Sequence, residues 1–470
     1  MGGVAFHLAK RADSRVFDVR KYGATGDGTT DDRAAIQTAL DAADAAGGGT
    51  VYLPTGTYAI ATKNGADGTK HALEVHSGTQ LLGAGIGAAI IKAHDDLPYD
   101  TPLLWASLET DIEMAHFTID GNKARLDAGA RGTGEDEGID FKGGQRVVVH
   151  HVHIHDCGQD GIDIDDGVGA GDFLVHDFFI EDCAGAGVHS AAPYVRIRDG
   201  IVRNCGHERN TNGEGQVALD ACGIDVRGAS GAIVNCTIVG CVRGVNLALA
   251  NDLSVRGCTI DGTGVTGFEG IVVGSVTALG GGSRHQIIDN TIINPYIGVR
   301  LAKGANVRVS GGTILQIGSG GAGILLQGTT TPVIEGVMVQ GGDVGDIRVQ
   351  GAGGTLWRVE NCVLLGGTSG VRSEAVGKGV IVGCTRDSSG GFGVDLRGVL
   401  SGVTVASNDF RGTGVGVRML NSGGTPSNCV VVNNAFAAGV TDAGSGHIYR
   451  NNVIGGAFVA EGTTAWPLGA

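Results

Sequence analysis

Gly138-Ile-Asp140-Phe, Gly161-Ile-Asp163-Ile, Gly187-Val-His189-Ser, Gly223-Ile-Asp225-Val and Gly244-Val-Asn246-Leu repeat one phrase: glycine, aliphatic, polar, aliphatic. The phrase continues as Gly298-Val-Arg300-Leu, Gly370-Val-Arg372-Ser, Gly393-Val-Asp395-Leu and Gly416-Val-Arg418-Met. Its spacing falls mostly in the low-to-middle twenties, the period of a solenoid in which each repeat is one coil. The polar residue varies along the column while its flanks do not. Scaffold and surface are thereby separated within a single short strand.

Composition agrees with stacked β coils. Glycine is abundant, proline and aromatics are scarce, and Val, Ile, Leu and Ala supply the apolar interior. Branched residues suit a narrow pleated core. The fold class expected is all-β, a solenoid of about twelve or more coils. A formal charge of -15 disfavours nucleic acid as a partner, since phosphate binding needs a basic surface. No apolar run approaches the roughly 18 residues of a membrane span. The start, Met-Gly-Gly-Val-Ala-Phe-His-Leu, lacks the long apolar core of a secretory signal.

The ten cysteines suggest a disulfide set by parity alone. Cys157, Cys183 and Cys205, however, close successive coils. Cys236, Cys258, Cys362 and Cys384 recur at another equivalent position, where Asn290 also falls. Small buried thiols in ladders are the expectation.

Residues 1–15 read as a tail and 16–470 as a single domain, with 16–48 as an N-terminal cap region. Thr30, Asp31 or Asp32 can N-cap a helix running to about Ala45, with Ile36, Ala39, Leu40 and Ala43 on its apolar side. This amphipathic helix is expected to cover the open end of the solenoid.

The stretch from Phe17 to Tyr58 carries Tyr22-Gly-Ala-Thr-Gly-Asp-Gly, Asp31-Asp32 and Gly49-Thr-Val-Tyr-Leu-Pro-Thr-Gly-Thr-Tyr. It resembles the opening of the pectate-lyase-like superfamily, which includes polygalacturonase-type hydrolases, mannuronan C5-epimerase modules and phage tailspike depolymerases. The resemblance implies a right-handed parallel β-helix acting on a polysaccharide or oligosaccharide. Lyases of that superfamily often use calcium; the sequence itself gives no reason for a metal, and no cofactor is expected.

Alternate residues of a strand face opposite sides. The polar position of each phrase therefore points out, with the residue two further on. Stacking gives one column of Asp140, Asp163, His189, Asp225, Asn246 and, two coils on, Arg300. A second column holds Lys142, Asp165 and Arg227. Asp140, Asp163, Asp165 and His189 are the candidate catalytic residues. Lys142, Asp225, Arg227, Asn246, Arg131 and Arg300 are the candidate substrate-binding residues. Carboxylates stacked about 4.8 Å apart repel, so one of Asp140, Asp163 and Asp165 is expected to keep its proton unusually long. His189 is expected to be biased toward imidazolium. Arg348, Arg372 and Arg418 share the first column with Arg300.

Two polar insertions, 119–137 and 206–221, flank these coils. Insertions in solenoids gather on the binding face. The phrase His150-His151-Val-His153-Ile-His155 invites a metal, but the sequence shows no third ligand at suitable geometry, and none is expected.

Three functions compete. A glycoside hydrolase follows from the clustered carboxylates, whose separations fit either stereochemical course. Against polygalacturonases, Asn-Thr-Asp-Gly is matched by Gln159-Asp160-Gly161. A polyuronate C5-epimerase or β-eliminating lyase is implied by the opening, by Thr118-Ile-Asp-Gly-Asn122 and by the long loop after it. In the epimerase motif Tyr-Gly-Phe-Asp-Pro-His only the central Asp, Asp163, carries over, and Asp160 and Asp165 replace the tyrosine and histidine. A tailspike-like glycan-binding module is the third. Hydrolysis ranks first, a monomer before a homotrimer, and a secreted or extracellular location is expected.

Overall fold

A computed structural model describes residues 15–62, 71–126, 135–167, 169–207, 221–248, 250–274, 282–341, 345–350, 356–374, 377–387, 390–398, 400–412, 414–420, 426–442, 446–455 and 457–459. The chain divides into two compact units, Met1–Gly231 and Ala232–Ala470. Both are built from parallel β coils.

In the first unit the glycine-led strands Ile139–Lys142, Ile162–Asp165, Val188–Ser190 and Ile224–Val226 stack in parallel as one sheet with Leu73–Glu74 and Leu104–Ser107, which no glycine opens. A second sheet carries the long strands Thr110–Asp120 and Gln145–His155, paired in parallel. In the following coils each long strand becomes two, Gly171–His176 with Phe179–Glu181, then Val195–Arg198 with Ile201–Arg203. Between the sheets lie Ile139, Phe141, Ile162, Ile164, Val149, Ile154 and Phe173, all buried. In the second unit the strands Arg243–Leu247, Glu269–Val273, Ile297–Leu301 and Ala322–Leu326 continue the same pattern among themselves.

The glycine that opens each phrase is required by close approach of backbones. A Cβ at Gly138 would lie 2.7 Å from the Gly161 carbonyl oxygen, one at Gly161 2.7 Å from that of Gly187, and one at Gly187 2.8 Å from that of Gly223. Each coil turns into its strand against the glycine of the next. Any side chain there would wedge two coils apart.

All ten cysteines are buried thiols that take no part in disulfides. Hydrogen bonding to Cys183, then burial, pushes the Cys157 thiol far up, as befits a ladder of inert thiols. In the second unit Asn290 takes the cysteine position, its Oδ1 accepting from the Cys258 amide at 3.0 Å and its Nδ2 donating to the Val255 carbonyl at 2.9 Å.

Helix α1 spans Arg33–Ala45 and buries Ile36, Ala39, Leu40 and Ala43. Asp32 holds the N-cap position, yet its carboxylate accepts from the Thr25 amide at 2.6 Å and the Gly26 amide at 3.0 Å instead of capping the helix. Asp27 likewise accepts from the Thr29 and Thr30 amides at 2.8 and 2.7 Å. The acidic residues of the opening segment thus fold a tight loop. Gln37 of α1 accepts from the Glu74 amide at 2.8 Å and donates to its carbonyl at 3.1 Å, as a neighbouring strand would.

Candidate functional site

The glycine-led sheet of the first unit brings the acidic column together in register. Asp140 pairs with Asp163, Lys142 with Asp165, Asp163 with His189, and His189 with Asp225. The flanking Ile162, Ile164, Val188 and Ile224 turn inward and are buried. Alternation therefore fixes which atoms meet.

Lys142 lies at the centre. Its Nζ donates to Asp165 Oδ2 at 2.9 Å and lies 3.2 Å from Asp140 Oδ2, 3.9 Å from Glu135 Oε1 and 4.0 Å from Asp163 Oδ2. Burial lowers its pKa, but Asp140, Asp165 and Asp163 overcome that and raise it. The ammonium is held charged.

His189 forms the other half. Its Nδ1 is 2.8 Å from Asp163 Oδ1 and 3.9 Å from Asp160 Oδ2, and its Nε2 is 3.8 Å from Asp225 Oδ2. That Nε2 is buried without a hydrogen-bond partner among the described residues. Burial disfavours the imidazolium; the Asp163 hydrogen bond and the charges of Asp225, Asp163 and Asp160 outweigh it and lift the pKa from 6.5 to about 9. Arg227 is tethered to Asp225, Nε to Oδ2 at 2.9 Å and Nη2 to the same oxygen at 2.7 Å.

One expectation needs correction, and a second is met for a different leading cause. The column does not face open solvent: Asp140, Asp225 and Asn246 are fully buried and Asp163 nearly so. Lys142 folds back toward Asp140 on the same strand face, so the longer side chains two residues on are what remain accessible. Lys142, Asp165 and Arg227 keep 29, 38 and 24% of their side-chain surface. The carboxyl that keeps its proton is Asp140, raised from 3.8 to about 8, and burial is the largest cause. Lys142 opposes that rise, and repulsion from Asp163 adds to it.

Several neighbours escaped the sequence reading. Glu137 is buried beside the cluster and pushed well up, by burial first and then by Asp140, Asp163 and Asp160. Asp160, noted in sequence only as a motif replacement, accepts from the Ala186 amide at 2.5 Å and also faces His189. Trp105 pairs in register with Asp140 and stacks on His71 with ring centroids 4.3 Å apart. The preceding strand carries no glycine-led phrase at that place, so only the register reveals it. In the 119–137 insertion Arg125 and Asp136 form a buried ion pair at 2.8 Å.

Arg131 lies outside the described residues, as does most of the 206–221 insertion. Asn246 and Arg300 belong to the second unit, where both pair with Val272. Arg300 is bound there by Glu269 and by Gln327 Oε1 at 2.8 Å. Arg348 and Arg372 pair with Glu374, and Arg418 with Asp395. Along that unit, each of these arginines meets a carboxylate.

Asp140, Asp163 and Asp165 bring carboxylate oxygens within 4.8 Å of one another, as a calcium site would require. The Lys142 ammonium already sits among those oxygens. The donor set therefore does not fit a divalent cation while the lysine stays in place.

Parallel coils bearing one mixed-charge cluster define the class, a parallel β-helix with an inward-tied acid–lysine–histidine site. The chain belongs to the rhamnogalacturonase A/epimerase, pectate lyase-like family, whose model matches residues 16–269. A right-handed β-helix model matches residues 219–332 and 322–465. Mannuronan C5-epimerase AlgE3 of Azotobacter vinelandii is 41% identical over 116 residues, 24% of this chain and 6% of that protein. Alginate lyase 7 of the same organism is 42% identical over 113 residues, 23% of this chain and 13% of that protein. The chain thus spans a small part of the length of these relatives. A tailspike protein mutant of E. coli bacteriophage HK620, in complex with pentasaccharide, superposes with a TM-score of 0.64 at 13% identity, covering 93% of this chain and 78% of that one. That likeness concerns the fold.

Proposed function

We propose that this chain acts on a polyuronate by abstracting the C5 proton of a uronate residue, as a C5-epimerase or β-eliminating lyase. The observation that carries the reading is the Lys142 ammonium among Asp140, Asp163 and Asp165, with Asp163 shared with His189, whose Nε2 has no hydrogen-bond partner among the described residues. A uronate C5–H bond becomes acidic enough to break only when the adjacent carboxylate is neutralised, which is electrostatic work for a fixed cation. Lys142 and Arg227 present the accessible positive charge. Asp163 orients His189 through Nδ1, leaving Nε2 to take the proton. The electron pair passes into the neutralised carboxyl as an enolate. Reprotonation at the opposite face of C5 by a solvent proton completes epimerisation; cleavage of the C4–O4 bond, with O4 leaving on the neighbouring sugar and taking up the proton held by His189, forms the C4=C5 double bond and completes elimination. The segments shared with mannuronan C5-epimerases and an alginate lyase support this chemistry.

Hydrolysis, ranked first from sequence, is less well supported. It needs a protonated carboxyl that reaches a glycosidic oxygen. Asp140 and Glu137 are the carboxyls of the cluster held protonated, and both are buried, whereas the His189 side chain keeps 12% of its surface. The place of Asp140 behind Lys142 suits a positioning role.

The test is incubation with polymannuronate and polygalacturonate, reading unsaturated product by ultraviolet absorbance, reducing ends, and C5 configuration by proton NMR. Epimerised or unsaturated product is expected, with His189→Asn losing about 10²- to 10⁴-fold in rate. Reducing ends without unsaturation would overturn the reading.

A further inference from the structure

On the second sheet of the first unit, away from the acidic column's strands, four imidazoles gather at one corner of adjacent coils. His116 and His151 both adopt left-handed backbone, with φ of 62° and 49°. They lie between the register pairs Ala115↔His150 and Phe117↔Val152, so equivalent corners of two coils present histidines side by side. In the next coil the corner residue is Asp177, also left-handed, with φ of 50°.

The rings are close and differently inclined. His116 lies 5.5 Å from His150 and 5.0 Å from His151 between centroids, at 85° and 39°. His150 Nδ1 and His151 Nδ1 are 2.8 Å apart. One nitrogen from each of His116, His150 and His151 falls within 4.8 Å of the others. Zinc–nitrogen bonds of about 2.0–2.1 Å in a tetrahedron place ligand nitrogens about 3.4 Å apart, within small rotations of this arrangement.

A second observation points the same way. His150 Nε2 is bound by Glu113 Oε1 at 3.0 Å, and Glu113 Oε2 accepts from Gln80 at 2.7 Å. A carboxylate on the far nitrogen fixes the ring and leaves Nδ1 as the ligand atom, the usual support of a metal-binding histidine. His176 stacks flat on His150, at 4.9 Å and 3°, and keeps its own Nδ1 on Asp177 at 2.6 Å.

We propose that His116, His150 and His151 form a binding site for a divalent transition-metal ion of the zinc, nickel or copper class, clamping two adjacent coils. Three neutral imidazoles suit these borderline ions and exclude calcium and magnesium, which need oxygen donors. The third ligand invisible in the His150–His155 run is His116, supplied by the preceding coil. The inference is independent of the polyuronate reading.

Titration calorimetry of the full chain with zinc and with nickel tests it, together with paramagnetic resonance of bound copper(II). A single ion per chain is expected, with imidazole nitrogen couplings and a rise in the unfolding temperature. The double variant His116→Asn/His151→Asn keeps residues that tolerate left-handed backbone, and it should lose the site. Glu113→Gln, which leaves the ligands in place, should weaken binding about 10- to 100-fold. Absence of binding by all three ions would overturn the proposal. So would binding unchanged in both variants, because the ion would then belong to another cluster, such as Asp120, His155 and Asp156.

Discussion

At His189 burial and charge oppose each other, and charge wins. The folded pKa of about 9 exceeds the ordinary 6.5, so the imidazolium is stabilised by folding. Its contribution to stability is complete below about pH 6.5 and is lost as pH rises through about 9. Asp140, raised to about 8, works in the same direction. The folded state holds its proton between about pH 4 and 8 where the unfolded chain releases it, so stability falls as pH rises across that window. For catalysis the sign reverses. A base must be unprotonated, so kcat should climb with pH to a plateau above about 9. In Asp163→Asn one charge and the charge assistance of the hydrogen bond are gone, and the midpoint of the kcat–pH profile should move down toward 6.5. An unmoved midpoint would mean that another group titrates.

At the scale of elements, each coil is fixed by what its strand cannot contain. A methyl at Gly161 would sit 2.7 Å from the Gly187 carbonyl oxygen and 2.6 Å from Ile180 Cγ2. Gly161→Ala should cost about 2–3 kcal/mol in denaturant unfolding, because neither neighbour can retreat. At Gly171 a Cβ would meet nothing nearer than Tyr194 at 3.6 Å, so Gly171→Ala should be close to neutral. Equal losses at both sites would remove the close-approach explanation. The glycine-led phrase made this sheet legible in sequence, and register placed Asp140, Asp163, His189 and Asp225 in one column. Burial was not legible. Alternation says which side a residue faces; it does not say that Lys142 will fold back toward Asp140. Trp105 and His116 were missed for a related reason. Each acts through the adjacent coil, more than 30 residues away in sequence, and no local phrase marks the partner.

Across the whole chain, family membership and local chemistry answer different questions. The opening segment that carries the resemblance is occupied with structure: Asp27 and Asp32 close a loop, and Gln37 satisfies the backbone of Glu74. Its own side chains specify a β-helix. In the proposed mechanism the reaction is set by a few side chains of the coils that follow, where Asp160 and Asp165 stand in place of the motif tyrosine and histidine of the epimerases. There His189, from the next coil and 2.8 Å from the retained Asp163, is assigned the proton transfer that those replacements remove. The central claim is that a C5 proton is abstracted, whichever product follows. Incubation of the full chain with polymannuronate in deuterated water, followed by NMR of the uronate residues, tests it directly. Deuterium at C5 or unsaturated ends, abolished by His189→Asn and Lys142→Met, is the predicted result. Chains shortened with C5 still carrying hydrogen and with no unsaturated ends would contradict it and restore hydrolysis.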